Sequence, residues 1–242
     1  MMRGGDVLRN YGANRLEIRL PETLYHATTS DNIESIKNRI DLNECSEKTD
    51  FGQGFYLTTN VEQAVKWALR KESLHNKHEA LRQKTKTPNF VKGVVIEYDV
   101  IHKVLNELRQ KNFTHQNADW ADFIYLNRSN LPTIEKLQKI GVLGLERAFI
   151  DDDAIPRYDI IKGPLGDGQS IFKETHIRDN SPSLDSQIYL TGIKSKSREF
   201  SSYDQVSLHT TKALRLIKYR KVVVASELLR SGMESNIHSK GD

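Results

Sequence analysis

The runs LYHATT, Leu24–Thr29, and TDFGQGFYLTTNVEQAVKWA, Thr49–Ala68, decide how this chain is read. The first has the character of a short strand and sets His26 between a tyrosine and small residues. The second reads as loop, strand and helix. Gly52 and Gly54 give the loop the backbone freedom that close approach to a ligand requires. Phe55, Tyr56 and Leu57 favour a strand. Thr59 to Glu62 fits Ser/Thr-x-x-Glu, with Asn60 an equal candidate for the helix cap. Val61, Ala64, Val65 and Ala68 recur at the spacing of one buried helix face, and Trp67 falls beside it.

Outward from this centre the chain alternates short strands and helices. LEIRL, Leu16–Leu20, patterns like an edge strand. Ser30 or Asp31 can cap a short helix to Arg39, with Ile33 and Ile36 facing inward. Val91–Val100 is the clearest strand. Helices are expected at 102–111, 117–127, 132–140 and 211–219, and strands at 158–163, 204–210 and 221–225. Residues 172–185 are polar and read as a loop, and 186–194 as a strand or short helix. PLGDGQS, Pro164–Ser170, is a glycine-rich turn. No repeat or long linker divides the chain. The expectation is one α+β domain over residues 21–230, after an N-terminal extension of residues 1–20 and before a polar, fraying tail of residues 231–242.

Composition narrows the class. In 242 residues, 37% are hydrophobic and 28% charged, which suits a water-soluble globular protein. No run approaches the roughly 18 apolar residues of a membrane span. MMRGGDVLRNYGANR has no apolar signal core, and Cys45 is the one cysteine, so a cytoplasmic setting without membrane association is expected. The net charge of +4, with basic residues crowded between Lys66 and Lys86, favours an acidic partner such as nucleic acid or an acidic neutralising protein. For that basic run a solvated helix face is the favoured account, ahead of a phosphate-facing patch. His75 and His78 lack the carboxylates or cysteines that would complete a zinc motif, so no metal is expected. There is no P-loop and no Gly-x-Ser-x-Gly elbow.

The two quoted runs together resemble the ADP-ribosyltransferase superfamily in its histidine-tyrosine-glutamate branch, which includes diphtheria toxin and the poly-ADP-ribose polymerases. In that branch a strand ending Tyr-His-Gly-Thr holds NAD, and a Gly-x-Gly-x-Tyr strand stacks its tyrosine on the nicotinamide. A second aromatic in the following helix closes the other side. The counterparts here are Tyr25-His26-Ala27-Thr28, Gly52-Gln53-Gly54-Phe55-Tyr56 and Trp67. The run Asp50–Tyr56, with the later DQVSLHT at Asp204–Thr210, is similar to a bacterial group within the superfamily, DUF3990.

The resemblance implies a split β-sheet core with peripheral helices and NAD as co-substrate. His26 would donate to a ribose hydroxyl, and the Ala27 backbone would meet the carboxamide. Tyr56 and Trp67 would offer aromatic faces to the pyridinium. NAD-binding positions would be Tyr25, His26, Ala27, Thr28, Gly54, Tyr56 and Trp67, and catalytic positions His26, Tyr56 and Gln205. Gln205 stands where the branch has glutamate. An amide can orient the ribose but is no base. Glu199 is the nearest alternative, and Asp204 should point to the opposite face of its strand. Such a protein would be a mono-ADP-ribosyltransferase toxin acting on a macromolecule, RNA ahead of protein, with a neutralising antitoxin or a phage-triggered role. The alternative expectation is a non-catalytic NAD- or nucleic-acid-binding module.

Overall fold

Val94, Val95 and Ile96 can be apolar in succession because both faces of their strand are covered. In the computed structural model, which describes residues 17–47, 49–82, 87–128, 149–150, 155–166, 190–191 and 203–238, this strand is the centre of an antiparallel sheet. The described strands are β1 (Thr23–Thr29), β2 (Phe55–Leu57), β3 (Gly93–Val100), β4 (Gln110–Asn112), β5 (Phe149–Ile150), β6 (Ile155–Pro156), β7 (Ile160–Pro164), β8 (Asp204–Leu208) and β9 (Ile217–Val224). The helices are α1 (Ile33–Asn38), α2 (Val61–Arg82), α3 (His102–Leu105), α4 (Ala118–Arg128), α5 (Thr211–Leu214) and α6 (Ala225–His238). The fold is α+β, with the sheet divided in two. One sheet runs β1-β3-β9 and the other β2-β8-β7-β4, while β5 and β6 form a separate pair.

Among the described residues one backbone bridge links the two sheets, where Tyr25 and Thr58 exchange hydrogen bonds of 2.9 Å each way. The contact ends there because the chain after Thr58 turns into α2. The Asp204 carboxylate accepts from Thr58 Oγ1 at 2.9 Å, the Thr59 N–H at 2.9 Å and Thr59 Oγ1 at 2.7 Å. Asn60 is the helix cap, with Gln63 N–H donating to its side chain at 3.1 Å. α2 then lays Ala64, Val65 and Ala68 on Ala27 and Val95. A second core, on the other face of β1 and β3, joins Leu24, Ile96 and Tyr98 to Phe55, Leu57, Val206 and Leu208. A third cluster gathers Phe51, Phe113, Trp120, Phe123, Ile124 and Ile161 beneath α4.

Several elements differ from the sequence reading. Residues 17–20 form no strand; Ile18 is buried, but its N–H donates to Gln110 Oε1 at 3.0 Å rather than to a sheet. The helix expected at 102–111 stops at Leu105. Asp159 holds the Arg109 backbone N–H at 2.8 Å and its guanidinium at 3.0 Å, drawing Gln110–Asn112 beside β7. Thr211–Tyr219 is helical only to Leu214, because β3 recruits Ile217 onward as its second neighbour. α6 runs from Ala225 through Ser231 to His238, and its Ala225 and Leu228 join the cluster that α2 covers. The expectations for 132–140, 172–185 and Glu199 lie outside the described residues. No helix among the described residues is long and apolar enough to cross a membrane.

Candidate functional site

β1 is the edge strand of its sheet, and backbone alternation decides what it offers. Tyr25 turns its N–H and C=O toward Thr58, so Ala27, two residues on, turns both groups to the same side, away from β3. The Ala27 N–H makes no hydrogen bond among the described residues. Its C=O accepts from Lys71 Nζ at 2.8 Å. Half of the donor–acceptor pair expected for a carboxamide is therefore engaged within the protein. Lys71 is reached by the line Ala64–Ala68–Lys71, a lysine on the buried helix face. Burial lowers its pKa from the ordinary lysine value.

His26 lies at the seam between the sheets. Its ring stacks on Phe55, with centroids 4.3 Å apart and planes 20° from parallel, and its Nδ1 lies 2.7 Å from the Tyr56 carbonyl oxygen. A carbonyl only accepts, so Nδ1 carries the hydrogen. Burial, reinforced by the Lys71 charge, pushes the His26 pKa down to about 3. The ring is therefore neutral, and Nε2 is an acceptor rather than the donor expected from the sequence.

Tyr56 is fixed at its far end. Its hydroxyl donates to the Gly52 carbonyl at 2.8 Å, accepts from the Phe51 N–H at 2.8 Å, and lies 2.7 Å from Thr49 Oγ1. Burial raises its pKa above the ordinary phenol value. Gly52 has φ 77°, which lets the loop wrap the hydroxyl. Gly54 has a different reason to be small: a Cβ there would meet His209 Nδ1 and the Leu208 carbonyl oxygen, each at 2.9 Å. His209 is buried, donating from Nδ1 to the Gln53 carbonyl at 2.7 Å, with its Nε2 2.8 Å from Ser207 Oγ. Burial pushes its pKa down to about 4.

Tyr56 pairs with Ser207, and Gln205 is two residues further along β8, so Gln205 shares the face of Tyr56. Asp204 faces the other way, as expected, onto the start of α2. Gln205 is buried at 5% exposure, and its Nε2 donates to Asp50 Oδ2 at 2.5 Å and to the Pro164 carbonyl at 3.2 Å. Asp50, 4% exposed, also accepts from the Gly166 N–H at 2.7 Å and from the Arg128 guanidinium.

The remaining expected residues are less central. Thr28 is buried and accepts from Asn32 at 3.3 Å. Tyr25 contributes its backbone to the seam and packs its side chain against the cluster around Ala27. Trp67 is 50% exposed, with the Arg70 guanidinium 5.3 Å from its ring centroid, and makes no ring contact with Tyr56 or His26. Part of the basic segment is engaged internally: Lys66 donates to the Tyr203 hydroxyl at 2.8 Å, and Lys71 to Ala27. The sequence reading missed Asp50, Lys71 and Arg128. Asp50 opens the DFGQG run and Lys71 interrupts an apolar stripe, and both signals were visible.

Both neutral histidines make acid destabilising. Unfolding frees them to protonate below their ordinary value, so their stabilisation is complete above about pH 6.5 and is withdrawn as pH falls toward 4 and 3. Each should cost roughly 2 kcal/mol by pH 5. Replacing His26 and His209 with Asn should flatten the melting temperature between pH 7 and 5. An unchanged acid limb in the double variant would refute this.

Comparison with known proteins assigns the chain to a family. Residues 23–219 match the family described as protein of unknown function (DUF3990), and the chain belongs to it. Neither a curated protein nor a solved structure matches the chain.

Proposed function

We propose that the chain is an NAD-dependent mono-ADP-ribosyltransferase of the histidine-tyrosine-glutamate type. The observation that carries this reading is the seam itself. His26 Nδ1–H holds the Tyr56 carbonyl at 2.7 Å, beside the Ala27 N–H, which has no hydrogen-bond partner among the described residues. A dinucleotide fits these groups. The Ala27 N–H suits a carboxamide oxygen, His26 Nε2 and Gln205 Oε1 suit ribose hydroxyls, and the anchored Tyr56 ring suits the pyridinium. The Lys71 ammonium adds a positive charge that suits the pyrophosphate. In the reaction the bond from C1′ to the nicotinamide nitrogen breaks, with its electron pair leaving on nicotinamide. A lone pair of the acceptor forms the new bond to C1′, and the acceptor loses its proton to solvent or a base. Fixed orientation of the sugar and leaving group supplies the rate. Gln205 offers no base, so the acceptor must be nucleophilic without it.

The acceptor is a cellular macromolecule, with RNA favoured over protein by the net charge of +4. An enzyme that modifies its own cell's components requires restraint, so a neutralising protein partner and a cytoplasmic, defensive role complete the reading. The amide at Gln205 favours a second reading, a module that binds NAD without cleaving it. Incubation with labelled NAD and whole-cell extract separates these possibilities. The expected result is released nicotinamide and label that nuclease removes and protease does not. Label lost to protease alone would make the acceptor a protein, and bound NAD without nicotinamide release would favour the binding module.

A further inference from the structure

The three partners of Asp50 are all donors: Gln205 Nε2, the Gly166 N–H and the Arg128 guanidinium. The carboxylate is therefore a pure acceptor, and it is fixed on three sides. The second partner of Gln205 Nε2, the Pro164 carbonyl, is likewise an acceptor, at 3.2 Å. A glutamine amide between two acceptors has one orientation open to it, with NH₂ toward them and Oε1 away. Among the described residues Oε1 makes no hydrogen bond. We propose that Asp50 is a positioning residue: it locks the Gln205 amide so that the site presents an obligate acceptor, and the site therefore selects a sugar that offers a hydroxyl donor there. The carboxylate absent from position 205 is thus retained one bond behind it, setting the polarity of the amide instead of touching the ligand. This inference rests on the NAD reading and adds a specificity to it.

The test is binding, measured by titration calorimetry, of NAD and of analogues lacking either the 2′- or the 3′-hydroxyl of the nicotinamide ribose. The unaltered protein should bind one analogue about ten-fold more weakly than NAD, as expected for one lost hydrogen bond. Asp50→Asn replaces the pure acceptor with a group that can offer either an N–H or a C=O, so the Pro164 carbonyl, at 3.2 Å, is left as the one fixed acceptor orienting the Gln205 amide. In Asp50→Asn the preference should shrink to about two-fold or less. A folded Asp50→Asn protein that keeps the full preference overturns the proposal. So does an unaltered protein that binds NAD and both analogues equally, a result that leaves the NAD reading standing. Failure to bind NAD at all overturns that reading and this one with it. If Asp50→Asn does not fold, Gln205→Glu decides. A glutamic acid at that position faces Asp50 and must share a proton with it. The charged and titratable groups beside this pair are the Arg128 guanidinium and the Tyr56 hydroxyl. NAD binding should then be retained near pH 5 and weaken about ten-fold or more by pH 8. A flat profile over that range overturns the proposal.

Discussion

Replacing Arg128 with Met should lower the melting temperature by roughly 6–20 °C, the largest stability loss expected from a single change here. The Asp50 side chain is 4% exposed and that of Arg128 14%, so their ion pair sits in a medium that screens poorly. Removing one partner strands the other as a buried charge, at a cost of about 3–5 kcal/mol. Methionine keeps the length of the aliphatic stem, so the loss reports the charge more than the packing. Arg128 also donates to the Gly166 carbonyl at 3.1 Å, and that bond goes with it. The double change Arg128→Met with Asp50→Leu should recover part of the loss, because no charge is then stranded. Thermal melts of the three proteins check this. A single Arg128→Met protein as stable as the parent would show that the pair is solvated.

Substitution of Tyr56 should separate the aromatic face from its anchor. Tyr56→Phe keeps the ring and deletes a hydroxyl that serves Thr49, the Phe51 N–H and the Gly52 carbonyl. Leaving those groups without it should cost about 1–3 kcal/mol of stability. Nicotinamide release should remain within a few-fold of the parent, since the face remains. Tyr56→Ala removes the face as well. Base–aromatic stacking is worth about 1–3 kcal/mol, so release should fall roughly 5- to 150-fold further. Steady-state release of nicotinamide from NAD, on protein shown to be folded, is the measurement. Equal losses in the two variants would assign Tyr56 to the loop and remove it from the ligand.

Patterns of local origin were legible in the sequence. The continuous apolar run of β3, the spacing of Ala64, Val65 and Ala68 on α2, and the burial of Trp120, Phe123 and Ile124 in α4 all follow from periodicity. The elements misjudged depend on distant partners. Gln110–Asn112 leaves its helical pattern because Asp159, on another segment, captures Arg109. Ile217–Tyr219 is a strand because β3 lies beside it. The same division holds at the site. His26, Tyr56 and Gln205 could be marked by motif and spacing, and the strands bring His26 to the Tyr56 backbone and Gln205 to the Tyr56 face. Which atom of His26 donates could not be read, because it depends on a carbonyl thirty residues away in sequence. The partnership of Asp50 with Gln205 spans 155 residues, and no local pattern signals it.

Asp204 and Gln205 are neighbours that face opposite ways, one tying down the start of α2 and the other held by Asp50. A displacement of β8 by one residue along β2 and β7 would put Asp204 in the place of Gln205, carrying an acid into the site, and Tyr203 in the place of Asp204 at the helix start. The helix start would lose a carboxylate that now takes three hydrogen bonds, while Asp50 would confront a second carboxylate. Two penalties, incurred on opposite sides of one strand, thus guard a single alignment, and the chemistry of the site is kept in place by the demands of a helix it does not touch.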